Sequence, residues 1–258
     1  MDFLKSSKKR SSVSEAVYVL LNIGLAVLVL MLVLAIQSPW PAIGLVMLSK
    51  WRVIAVRPRY WSANLQANLV DVIVSLSLVV LMVEATGSLV TQVLLAILYA
   101  VWLLLIKPQS NRRFMVIQAG IAVLLGVETL MSVSYGWWLS AVVVTMWVIG
   151  FAAARHVFES YDEPHKSFYT LASGFMFAQL GWLFYHWTFA YSIPGSQLQL
   201  SQAAIICLAL SFVGYMIYDS YYHNQKIRMT DVLLPVLLAS SLVTVLLLFF
   251  NTLQRGGL

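Results

Sequence analysis

Charge is what this sequence has least of. Ten acidic and sixteen basic side chains make up 10% of 258 residues, where an ordinary soluble domain carries roughly 25%. With 61% of its residues hydrophobic, a water-soluble fold of this size would have too little polar surface to cover itself. Alternation is missing as well. The apolar stretches are continuous, which excludes a transmembrane barrel, whose strands read as short segments of period two. What remains is an all-α, polytopic transmembrane bundle, in which every helix satisfies its own backbone donors and acceptors.

Chemistry-bearing motifs are scarce too. The single cysteine, Cys207, lies in the apolar run Ile205 to Leu208, so it forms no internal disulfide and reads as packing filler. GxSxG, Walker A, GxGxxG and HExxH are all absent. Ala172-Ser173-Gly174 has no companion histidine on a suitable separate helix, which argues against an intramembrane serine protease. The final apolar run holds no lysine for a retinal Schiff base. The runs bearing Asp71, Asp219 and Asp231 lack the paired aspartates of lipid-phosphate transferases. The sequence therefore leans away from an enzyme and calls for no cofactor and no metal.

Long apolar runs are what is there: Ala16 to Ile36, Leu69 to Val83, Leu89 to Ile106, Phe114 to Val133, Trp137 to Ala154, Phe168 to Phe189, Ala203 to Tyr221 and Val232 to Phe250. Each approaches the roughly 20 residues that cross a hydrocarbon core. Trp40 to Val56 is shorter and contains Lys50 and Arg52. Charge decides how to read it. If this segment crosses, then Lys50, Arg52, Arg57, Arg59, Lys107, Arg112, Arg113, Arg155, Lys166, Lys226 and Arg228 all fall on the cytoplasmic side, and only Arg255 falls outside. The expectation is about nine spans, or eight if residues 40–56 lie in the interface, with the N-terminus cytoplasmic and the C-terminus outside. Pro39 and Pro41 suit the start of the returning helix.

Residues 1–14, with Lys5, Lys8, Lys9 and Arg10, read as a basic cytoplasmic tail, residues 15–253 as one transmembrane domain and residues 254–258 as a short outer tail. The first run is long enough to span and no small-residue cleavage site follows it, so it reads as a span and not as a cleaved signal. The net charge of +6 sits in short clusters between apolar runs, which points to anionic phospholipids and not to nucleic acid.

Polar groups at membrane depth cost free energy and invite explanation. Glu128 lies about two turns below the outer end of its run. Gln179, Trp182 and His186 share one helix face by their spacing. These four form a candidate outer pocket in which a carboxylate and an imidazole bind a cation or relay a proton. The plainer alternative packs Glu128 against its neighbours and puts His186 in an interfacial aromatic belt with Trp182, Tyr185 and Trp187. Nearer the inner face, Asn64, Asn68, Asp71 and Ser75 fall on one stripe. With Asp219, Asp231 and Arg155, the residues Asn64, Asn68 and Asp71 make a candidate inner polar layer, read either as a vestibule or as helix caps and ion pairs. His156, Glu159 and Glu163 have ligand-like spacing, but the favoured reading is a solvated loop offsetting Arg155 and Lys166. Lys50, Arg52, Arg57 and Arg59 are candidate contacts for a lipid phosphate.

The segments Ser49-Lys50-Trp51-Arg52-Val53-Ile54-Ala55-Val56-Arg57-Pro58-Arg59-Tyr60-Trp61 and Gly181-Trp182-Leu183-Phe184-Tyr185-His186-Trp187-Thr188 resemble those of uncharacterised multi-pass membrane proteins of candidate-phylum, Saccharibacteria-like bacteria. The resemblance covers about a fifth of the chain. It implies a bacterial cytoplasmic membrane and no particular activity. Small-solute or ion- or proton-coupled transport through the bundle is the expected function. The alternatives are a lipid-binding or lipid-modifying protein, and an accessory subunit that associates with another membrane protein or with itself.

Overall fold

The computed structural model describes residues 12–249 apart from residues 162, 188, 194, 195 and 197. The expected tail over residues 1–11 and the outer tail at 254–258 lie outside the described residues, as does the side chain of Arg52. Helices dominate: α1 (Ser12–Ile36), α2 (Pro39–Ser49), α3 (Trp51–Ile54), α4 (Trp61–Glu84), α5 (Leu89–Val101), α6 (Arg112–Val133), α7 (Leu139–Glu159), α8 (Lys166–Tyr185), α9 (Gln202–Asn224) and α10 (Met229–Phe249). A two-stranded antiparallel hairpin, β1 (Ala190–Ser192) and β2 (Gln199–Ser201), joins α8 to α9.

Seven helices are long and apolar enough to cross a membrane: α1, α4 through α7, α9 and α10, counting the turns continuous with α4 and α5. The helix α8 has 20 residues but is not among these seven. The stretch expected to cross at residues 40–56 is not one continuous helix. The 11 residues of α2 rise only about 16 Å, and the backbone breaks at Lys50 (φ −100°, ψ 14°) before the four residues of α3.

Hydrogen bonds show which helix ends lie together. The Tyr18 hydroxyl donates to the Leu103 carbonyl at 3.1 Å, so α1 begins beside the end of the α5 segment. Asn64 donates to the Val53 carbonyl at 2.6 Å, so α3 arrives beside the first turn of α4. Gln118 donates to the carbonyls of Ile106 and Gln109 and pairs with His156 Nε2 at 2.6 Å, joining α5, α6 and α7 at that same end. At the opposite end Tyr185 donates to the Trp137 carbonyl at 2.8 Å, and Gln202 donates to the Leu246 carbonyl at 2.9 Å. Every described lysine and arginine lies at the first end or within a few turns of it; among the described residues the loops of the opposite end carry none.

Two apolar cores fill the bundle. One joins α1, α2, α4 and α5 around Val29, Val33, Val46, Leu78, Met82 and Tyr99; the other joins α6 through α10 around Val127, Met146, Phe177 and Cys207. Lipid tails are as apolar as leucine, so close packing and small residues, more than the hydrophobic effect, hold such helices together. The α7 and α8 pair shows this. Glycines at 150, 174 and 181 let Phe177, Trp147 and Met146 approach the facing backbone.

Candidate functional site

Asp71 is the ionic centre of the first core. The stripe read from the sequence holds: Asn68 donates to the Asn64 carbonyl at 2.8 Å, Asn64 anchors α3, and Asp71 and Ser75 follow one and two turns higher. Around Asp71 three segments converge. Lys50, at the break after α2, pairs directly with its Oδ2, and the Lys107 ammonium approaches the same oxygen at 2.8 Å. The Trp102 indole donates to Oδ1 at 3.0 Å. A π-helical turn, Trp102–Ile106, makes the last two contacts possible together. An α-helix would set residues 102 and 107 about 140° apart around its axis. The wider turn, closed by a bond from Lys107 N to the Trp102 carbonyl at 2.9 Å, brings them toward one face. Lys50 and Asp71 are each only 8% exposed. Two lysines thus converge on one carboxylate. The fully buried Tyr99 hydroxyl adjoins Ser75 without a well-formed hydrogen bond.

Lys50 thus faces Asp71 and not a lipid phosphate. Arg57 and Arg59 do remain exposed, with Arg59 over the Tyr60 ring at 4.6 Å. The other members of the expected inner layer do not join Asp71. Asp219 accepts from the Tyr161 hydroxyl at 2.5 Å and lies 3.4 Å from His223. Asp231 accepts from Ser220 at 3.1 Å and Asn224 at 3.3 Å, tying α10 to α9. Arg155 is half-buried and forms no ion pair among the described residues. Burial, reinforced by the hydrogen bond to Asp219, pushes the Tyr161 hydroxyl above the usual phenol range. Arg112 stacks over Tyr161 at 4.2 Å and over Tyr222 at 5.2 Å. His156, Glu159 and Glu163 go separate ways, to Gln118, to Lys166 at 2.8 Å and to the Tyr218 hydroxyl.

At the opposite end the four residues expected to share a pocket are divided. Gln179, Trp182 and His186 do share a face of α8, but that face is exposed, and His186 packs edge-on against Trp182 and Tyr185. Glu128 faces elsewhere and is 7% exposed. Its Oε2 accepts from both the backbone N–H and the hydroxyl of Ser201, each at 2.8 Å. Ser201 is the N-cap of α9, its hydroxyl accepting from Ala204 N–H at 3.2 Å. The carboxylate therefore sits where the helix dipole favours negative charge. Its Oε1 has no well-formed hydrogen bond among the described residues, and the Ser132 hydroxyl adjoins the carboxylate.

Glu128 lines a cavity of about 580 Å³ between α6, α8, the hairpin and α9. Glu84, Ser132, Tyr135, Gln199 and Ser201 add polar groups to its wall. Glu84 and Glu128 both line this cavity, at an end whose described loops carry no lysine or arginine. Gln202 bonds the region together: fully buried, it accepts from the Trp187 indole at 2.8 Å and donates to the Tyr191 hydroxyl at 3.1 Å as well as to α10.

Four of these residues are not read as site residues in the sequence. Glu84 and Lys107 close apolar runs, where a charge looks like an ordinary boundary. Ser201-Gln202 before an apolar run does carry a signal, since serine is a preferred N-cap and its hydroxyl needs an acceptor. The chain matches no family model, no curated protein and no solved structure.

Proposed function

We propose that this protein binds a small cation or a protonated solute at the Glu128 cavity and carries it through the bundle. The observation that supports this most is the buried Oε1 of Glu128, which has no well-formed hydrogen bond among the described residues. A carboxylate oxygen buried at membrane depth without a partner is costly, and a cation entering from the cavity would satisfy it. Glu84, which lines the same cavity, would raise the local cation concentration. The reading also orients the chain. With the cationic end in the cytoplasm, α1 leads outward, α2 and α3 return as one broken pass, and the remaining helices alternate, giving nine passes and an outer C-terminus. A bacterial cytoplasmic membrane is the setting this reading takes.

A ligand that binds only the folded state raises its stability in proportion to RT ln(1 + [L]/Kd). Thermal unfolding of the detergent-purified chain is therefore measured against a panel of monovalent and divalent cations and small organic ammonium ions. At least one is expected to raise Tm, and Glu128→Gln to abolish that rise while leaving the ligand-free Tm at or above the native value. In vesicles the same ion is expected to cross, with flux lowered at least tenfold by Glu128→Gln. If no cation shifts Tm, or if the shift survives Glu128→Gln, the reading fails.

A further inference from the structure

A second cavity, of about 530 Å³, opens among α6, α7, α8 and α9. The helix α8 lies along α7 but scarcely touches α9, which leaves a cleft between them. Its wall is almost entirely apolar: Val116, Ile117 and Gly120 from α6, Met176 from α8, and Leu208 and Gly214 from α9 are representative. Polar groups are concentrated at the cationic end, where Tyr169, Tyr215 and Tyr218 close the wall. From Leu208 to Tyr218 the cleft runs about 15 Å along α9, half the roughly 30 Å thickness of a hydrocarbon core. The cleft is one leaflet deep.

Below its mouth stands a cation. Residues 113, 116, 117 and 120 fall at the three, four and seven spacing of one helix stripe, so Arg113 lies on α6 one turn beyond Val116 and Ile117. It is exposed and forms no ion pair among the described residues, unlike Arg112, which is taken up by Tyr161 and Tyr222. An apolar slot of leaflet length, tyrosines at the interface and an unclaimed guanidinium beneath them together describe a phospholipid.

We propose that the cleft between α8 and α9 holds one acyl chain of an anionic phospholipid from the leaflet at the cationic end, with its phosphate on Arg113. This site is separate from the Glu128 cavity and stands without the transport reading.

Gly214 supplies the test, because a side chain built there meets nothing within 4 Å, so a larger residue fills the cleft without striking the backbone. The full chain is purified in mild detergent, washed exhaustively, and its bound phospholipid counted by extraction and native mass spectrometry. About one phospholipid per chain is expected to remain. Gly214→Phe is expected to lower that at least tenfold, and Ser211→Leu, on the same wall, to lower it severalfold should the phenylalanine variant fail to fold. Arg113→Gln is expected to remove the preference for anionic over zwitterionic lipid in exchange with mixed vesicles. Gly44→Phe, also in open space but on an exposed face of α2, is expected to leave retention unchanged. The proposal is overturned if the native chain retains no lipid or if retention survives both cleft-filling changes. A lipid-free dimer that Gly214→Phe converts to monomer would equally overturn it, because the occupant would then be a second copy.

Discussion

Asp71→Asn is expected to destabilise the protein by about 3–5 kcal/mol, the usual cost of removing one partner from a buried ion pair. Asparagine keeps the shape and can still accept from the Trp102 indole, which is 3.0 Å from Oδ1. It cannot offset two ammonium groups. Lys107 has a way out, because its side chain is 38% exposed and can turn to the interface. Lys50 has none. The decisive comparison is the double variant Lys50→Met with Asp71→Leu, which removes the trapped cation together with its partner. Replacing a buried pair by apolar residues of similar size is often neutral, so the double variant is expected to unfold at a higher temperature than Asp71→Asn alone. A thermal-unfolding series in which Asp71→Asn matches the native chain would show that the cluster is solvated and is not the clasp of α2, α4 and α5.

The second large effect is expected at Gly150. A Cβ placed there would lie 2.4 Å from Cγ and 2.6 Å from Cβ of Phe177. Cβ is fixed to the backbone, so no rotation of the phenylalanine relieves the contact and α8 itself must move. Overpacking a close interface costs typically about 1–3 kcal/mol and sometimes more; Gly150→Leu is expected at the upper end or beyond it. At Gly174 the same addition meets the Trp147 indole at 2.8 Å, the end of a side chain that can swing aside, so Gly174→Ala is expected to cost less. The order of the two melting temperatures checks the explanation. If Gly174→Ala proves worse than Gly150→Leu, side-chain freedom is not what sets the cost.

Much of this architecture is legible in the sequence, because hydropathy needs only local information. The long apolar runs became helices near their expected bounds, and the stripe from Asn64 to Ser75 is a stripe. Partners were harder. Spacing shows which residues share a helix face but not whether that face looks inward. On α8 it grouped Gln179, Trp182 and His186 correctly, yet the inward face is the one bearing Gly174 and Gly181, seven residues apart and pressed against Trp147 and Met146. Small residues at helical repeat were the better guide to the interface. Lys50 was placed near the inner phosphates because long cations snorkel. Its counter-charge is 21 residues away in sequence, and the π turn that presents Lys107 beside Trp102 has no composition of its own.

The break at Lys50 also bears on how the chain enters the bilayer during synthesis. If α2 and α3 form the broken pass proposed above, a lysine within it costs up to roughly 2.5–3.5 kcal/mol on insertion, and 11 apolar residues are too few to offset that alone. Asp71 and Trp102 are made 21 and 52 residues after Lys50. On that reading α2 is expected to have no stable place in lipid until they leave the ribosome, and to wait beside the translocation machinery. The first five helices are then expected to enter as one cooperative unit. Glycosylation mapping of nascent chains should find residues 39–54 uninserted in chains ending before Asp71 and inserted in chains extending past Lys107; insertion of the shorter chains would show that the hairpin needs no later partner.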